Sequence, residues 1–254
     1  MKCLVAFFLA VFLASAGAPG VRASGQQDYK PPVGPTPRTP SGKVDFSGVW
    51  EKPYVPDMSK DGKGQKGQPD LPFTSWGENE WKTYDAAEGD YTGACLPFGM
   101  TRSMNTPEPM QLMQSDKYLG FLFEQNSWFT VVPIDGRPHR DAIPTWFGDS
   151  VGHWEGDTLV VDTINFKRET SFPNSGANLH LIEKFTRTDA DTLMYEFTID
   201  DPSVWTRPFT AVVPMRKSDQ PIYEYACHEG NYAMASILAG ARAAEKAAEA
   251  KASK

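Results

Sequence analysis

The sequence predicts an all-β fold: a closed or nearly closed antiparallel β-barrel of about ten strands, followed by a short C-terminal helix. Three observations carry this expectation. The stretch from Trp128 to Phe166 is dense in apolar and β-branched residues and is broken by Asp135-Gly136 and Glu155-Gly156-Asp157, where glycine accepts the positive φ of a tight reversal. Within it, alternation puts Leu159, Val161, Thr163 and Asn165 on one face of a strand and Val160, Asp162, Ile164 and Phe166 on the other, so that an acid sits in an apolar row. Similar short runs recur on both sides without helical periodicity between them, and closing such a sheet removes its open edges. A two-sheet sandwich is the alternative.

Taken in order, residues 1–23 have a basic Lys2, an apolar run from Cys3 to Ala14 and small residues up to Ala23, the pattern of a secretory signal peptide. The apolar run is shorter than the ~20 residues of a spanning helix. The expectation is a periplasmic or secreted protein with no stable membrane insertion after cleavage. The whole chain carries a net charge of −7; without Lys2 and Arg22 the remainder carries 23 basic and 32 acidic side chains, or −9. Nucleic acid is therefore not an expected partner, since phosphate binding needs concentrated positive charge. Cys95 and Cys227 would then be the remaining cysteines, and in an oxidising compartment they are expected to form a disulfide; two buried free thiols are the alternative.

Residues 24–43, rich in proline, glycine and glutamine, predict an extended linker. The barrel domain is expected over 44–231, with strands near 46–51, 110–114, 117–124, 128–134, 147–154, 158–165, 179–187, 192–199, 207–216 and 222–227. Residues 56–72 have loop composition. Between Phe73 and Asp90, Trp76 and Trp81 fall in a short helical pattern with Thr74 or Ser75 as N-cap, forming either a cover over a cavity or a layer against the sheet. Residues 232–254 predict an Ala-rich helix or tail, with Met234, Ile237, Leu238 and Ala241 at helical spacing.

No serine-hydrolase elbow, zinc-helix motif, phosphate loop or C-x-x-C is present. The four histidines, His139, His153, His180 and His228, lie in separate segments without metal-ligand spacing, so neither a metal nor a cofactor is expected. His139 lies in the loop Gly136-Arg137-Pro138-His139-Arg140-Asp141, where an acid could orient its ring. His153 shares a strand face with Val151, and His180 is expected to face solvent. Asp162 and Glu183 each fall on an apolar face, where a carboxylate must be paired or neutralised. Arg102, Arg137 and Arg207 are candidate partners. Buried ion pairs are one outcome; the other, if that face lines a wet cavity, makes the two acids general bases.

Gly48-x-Trp50 resembles the first-strand signature of lipocalin-type barrels, in which glycine admits a neighbour and the indole plugs one end. The segments Asp135-Gly136-Arg137-Pro138-His139, Gly152-x-Trp154-Glu155-Gly156-Asp157-Thr158-Leu159-Val160-Val161-Asp162-Thr163, Glu183-Lys184-Phe185, Ile199-Asp200-Asp201-Pro202 and Glu224-Tyr225-x-Cys227-x-Glu229 resemble a large group of exported bacterial proteins, lipocalin-like and of uncharacterised activity. The resemblance spans about Phe46 to Asn231 and implies a calyx-like barrel without specifying a reaction. Where that group has histidine-serine-glutamate, this chain has Ser175-Gly176-Ala177. If the cluster is catalytic in the group, the activity is lost or altered here; if it is structural, nothing follows.

Three functional expectations stand together. The first is a cavity holding a small, mostly apolar or aromatic molecule, with Arg102, Arg137, Trp146, Trp154 and Tyr225 as ligand-binding residues. The second is a cofactor-independent lyase, isomerase or hydratase using His139, His153, Asp162 and Glu183 as catalytic residues. The third is a cell-envelope interaction module with an exposed aromatic patch around Trp76 and Trp81.

Overall fold

The structure is a computed structural model and describes residues 34–53, 71–83, 96–140, 143–167, 175–226 and 232–252. Cys95, Cys227, His228 and the expected signal peptide lie outside these residues, and the expected disulfide with them. Nine strands form one antiparallel sheet: β1 (Gly48–Glu51), β2 (Met110–Gln114), β3 (Tyr118–Phe123), β4 (Phe129–Pro133), β5 (Asp149–Glu155), β6 (Thr158–Ile164), β7 (His180–Arg187), β8 (Thr192–Asp200) and β9 (Phe209–Ser218). Three α-helices accompany them among the described residues: α1 (Ser75–Thr83), α2 (Gly99–Asn105) and α3 (Ala233–Ala252).

The sheet runs in the order β4-β3-β2-β1-β9-β8-β7-β6-β5, so successive strands are neighbours except β4 and β5, which form its two ends, and β1 joins β2 to β9. The ladder does not continue from β4 to β5, and closure in that sense is not observed. At this seam the Gly136 N–H donates to the Gly152 carbonyl at 2.9 Å. Gly152 permits the approach: a Cβ there would lie 3.0 Å from Ile134 Cγ2 and 3.3 Å from the Pro133 carbonyl. The tenth expected strand, 222–227, is absent among the described residues; 221–226 runs without strand pairing, its Tyr223 N–H donating to the Glu124 carboxylate at 2.8 Å.

Alternation along the strands sorts the side chains into an inner apolar face and an outer polar one. The sheet curls until distant strands share one core: Phe121 of β3 lies 5.6 Å from Phe185 of β7, and Phe46 stacks on Trp154 of β5 at 5.7 Å. Trp50, Phe46, Phe121, Phe185, Tyr195 and Phe197 fill the interior with no exposed surface. Trp50 donates its indole N–H to the Phe46 carbonyl at 2.8 Å and carries the Arg187 guanidinium 5.0 Å from its ring centroid, giving the Gly-x-Trp segment a fixed place in the core.

Residues 34–43 differ from the linker expectation. They form a strap seated on the sheet, because Arg38 forks onto Asp157 at 2.9 and 2.6 Å while the Ser41 hydroxyl donates to Asp116 at 2.6 Å. Thr74 caps α1 through its Oγ1, which accepts from the Gly77 N–H at 3.0 Å. Helix α2 has no counterpart in the sequence reading; it buries Met100, Thr101, Ser103 and Met104, and seven residues are too few for a periodic signal to stand out. α3 is exposed throughout its described side chains, and no helix among the described residues is long and apolar enough to cross a membrane.

Candidate functional site

The site lies on the outer face of β5, β6 and β7. Asp135 receives both the Nε and an Nη of Arg137, at 2.8 and 2.7 Å, and Arg137 stacks over Tyr118 at 5.3 Å, which pins the chain before Pro138. The following residues then fold back over β5. His139 Nδ1 lies 3.0 Å from Asp149 Oδ2, and its Nε2 lies 3.0 Å from Asp162 Oδ1. His180 Nε2 lies 3.1 Å from each oxygen of Asp162. Arg140 completes the chain of contacts, donating its backbone N–H to Asp149 Oδ2 at 2.9 Å and its guanidinium to Oδ1 at 3.2 and 3.1 Å.

Register explains the convergence. Asp162 pairs with Val151 on one side and Ile182 on the other, and Asp149 pairs with Ile164, so all five point outward with His180. Gly148, at φ +74°, lets the chain press onto β6 before β5 begins; a Cβ there would sit 2.7 Å from the Ile164 carbonyl and 2.6 Å from Thr163 Cγ2. Asp162 is therefore on the face opposite to the one expected to line the interior. Leu159, Val161 and Thr163 are the inward residues of β6, each without exposed surface. The two rows of this strand are nearly equal in apolar content, and alternation alone could not say which faced in.

Exposure falls from solvent toward the loop: the side chains of His180, Asp162, His139 and Asp149 are 40, 34, 25 and 5% exposed. Burial pushes the Asp149 carboxyl up, but the Arg140 N–H, His139 and the Arg140 guanidinium outweigh it and hold the carboxyl below its ordinary range. A neutral imidazole donates at only one nitrogen, whereas the imidazolium donates at both, so His139 between two carboxylates gains a second bond when protonated. Asp162 joins the two rings. The arrangement is a four-residue path, Asp149–His139–Asp162–His180, along which a proton can be held, delivered or received. No group of three or more His, Cys, Asp or Glu suited to a metal occurs among the described residues.

The other sequence candidates lie elsewhere. Glu183 has no exposed surface and faces the core, where the Tyr195 hydroxyl donates to its Oε1 at 2.7 Å; burial pushes its carboxyl up to about 8. None of the arginines named as its partners reaches it. His153 is exposed, with Nε2 3.4 Å from Glu155. Arg102 lies over Phe98 at 4.6 Å, and Trp146 carries Lys167 at 5.5 Å. Trp154 is stacked on Phe46, and Tyr225 is 38% exposed, its carbonyl accepting from Ser127 at 3.4 Å. The four proposed catalytic residues do not share one space; only His139 and Asp162 meet. His180, Asp149 and Arg140 complete the cluster. Asp149 went unnoticed because its strand-leading position gives no pattern, while His180 and Asp162 share a face once β6 is turned over.

Ser175, at the start of the departure from the resembled group, is wholly buried and accepts the Trp205 indole N–H at 3.1 Å. No family model matches the chain, and no curated protein is significantly similar to it.

Proposed function

We propose that this is an exported acid–base enzyme of the lyase, isomerase or hydratase class, with the curled sheet serving as a lipocalin-like barrel open along one seam. The observation that carries the reading is the His139 ring held between Asp149 and Asp162, with His180 on the far side of Asp162. In this reading Asp149 fixes His139 through Nδ1, and Asp162, held by His139 and His180, takes a proton from a carbon next to a carbonyl. The same carboxyl returns that proton at the neighbouring position, and Arg140, bound to Asp149, keeps the second acid charged and the imidazole fixed. Val151, Ile164 and Ile182 flank the carboxylates in register, which suits a small, mostly apolar or aromatic substrate. An interior ligand cavity draws no support from the core, whose described side chains pack against one another.

Proton abstraction from carbon is open to test without a known substrate. The protein is incubated in heavy water with a panel of ketones, 2-oxo acids and unsaturated carbonyl compounds, and proton NMR follows deuterium uptake and hydration. Exchange that disappears in both His139→Gln and Asp162→Asn is the expected result. Equal exchange in those variants, or none with any compound, would overturn the proposal.

A second reading, an envelope interaction module, has its own observation. Trp76 and Trp81 on α1 are 49 and 37% exposed, although Trp81 also stacks on Phe73 at 6.3 Å. Binding of the protein to isolated envelope fractions, lost when both tryptophans are replaced by serine, would favour it.

A further inference from the structure

The seam between β4 and β5 holds a cleft of about 310 Å³ lined by Lys43, Asp116, Ile134, Asp135, Gly136, His153 and Trp154. It exists because the ladder stops there: Ile134 and Gly136 continue past β4 on one wall, and His153 and Trp154 of β5 form the other. The strap contributes Lys43 to its lining. Arg38 holds the strap to the β5–β6 turn through Asp157, and Ser41 holds it to the β2–β3 turn through Asp116. Two residues past Ser41 the exposed Lys43 lays its ammonium 5.2 Å from the Trp154 ring centroid, on an indole already stacked against Phe46.

Each part of this arrangement suits a cation. The π-face of an indole attracts ammonium groups more strongly than that of any other side chain, and opposite charge at the rim strengthens the attraction. Asp116 supplies that charge here, Asp135 being paired with Arg137. Lys43 makes a poor permanent occupant: it is exposed and can leave at little cost. We propose that the seam cleft binds a small organic ammonium, whose cationic head takes the place over Trp154 that Lys43 holds, with Asp116 as counter-charge. This site is separate from the His139 cluster and independent of the acid–base reading.

The test uses choline as the probe and 3,3-dimethyl-1-butanol as its uncharged counterpart, read by the Trp154 indole N–H resonance in proton–nitrogen NMR spectra, assigned with Trp154→Phe. Choline is expected to shift that resonance in the natural protein. Lys43→Met, which keeps the apolar stem and removes the competing charge, should bind it about 3- to 30-fold more tightly. Asp116→Asn should weaken binding, and Asp162→Asn should leave it unchanged. Equal binding of the uncharged compound would overturn the proposal, as would an unmoved resonance in both the natural protein and Lys43→Met with unchanged spectral dispersion.

Discussion

The two faces of the sheet across β5, β6 and β7 meet the same problem, a carboxylate placed on a sheet, and solve it oppositely. Inward, Glu183 has no exposed surface and a single hydrogen-bond donor in Tyr195; its second oxygen has no partner, and burial pushes the group up to about 8. Outward, Asp149 is only 5% exposed, yet Arg140 and His139 hold its carboxyl below the ordinary range. Depth of burial does not set the charge; the number and sign of the donors do. An isolated buried acid becomes neutral and part of the core, whereas a buried acid surrounded by donors remains a charge that can orient an imidazole.

The largest effect that would break this contrast concerns Glu183. Its folded value of about 8 stands above the ordinary 4.5, so the folded state binds the extra proton between those values; its stabilising contribution is full below 4.5 and is lost as pH rises through about 8. Glu183→Gln removes this dependence. Urea unfolding at about pH 9 should find the variant more stable than the natural protein by up to about 4 kcal/mol, with the difference vanishing at about pH 4. A variant with the same slope as the natural protein would mean Glu183 is ionised inside the core.

Next comes Asp149→Ala, which leaves the Arg140 N–H and one nitrogen of His139 without an acceptor. A loss of about 2–3 kcal/mol is expected at neutral pH. The sign with pH is the reverse of that for Glu183: the Asp149 contribution is full above the ordinary carboxylate value and fades as pH falls through its lower folded value. The acid-side unfolding of Asp149→Asn should therefore be shallower than that of the natural protein.

Smaller again is Ser175→Ala, expected to cost about 1–2 kcal/mol by leaving the buried Trp205 indole N–H unpaired. It should leave the His139 cluster unchanged in NMR spectra. The least effect belongs to Lys184→Ala on the outer face of β7, whose contact with Glu196 is 4.0 Å long and roughly 40% exposed on both sides. Thermal unfolding within about 0.5 kcal/mol of the natural protein is expected.

Much of the strand plan was legible before any coordinates. Turn chemistry at Glu155-Gly156, alternation through Thr158–Ile164 and the Thr74 cap each act over a few residues, and each appears in the structure, whereas Asp135-Gly136 takes a positive φ at Gly136 but its flanking strands do not pair. What could not be read acts over long separations. The strap of residues 34–43 has the composition of a linker but is ordered by partners far along the chain, Asp116 and Asp157. Residues 222–226 have strand-like composition, yet no strand edge pairs with them. His180 looked like an ordinary surface residue because nothing in its own segment announces Asp162.

By itself the sequence determined where the ribbons start, where they turn and which residues share a side, since those depend on φ preferences and a period of two. Which of those sides became the interior was decided only by the tertiary structure. Flipping β6 exchanges Leu159, Val161 and Thr163 for Val160, Asp162 and Ile164, rows of nearly equal apolar content. The choice was made by what packs opposite: Phe185 and Phe121 meeting across the curl on one side, and His139 and His180 gathering around Asp162 on the other.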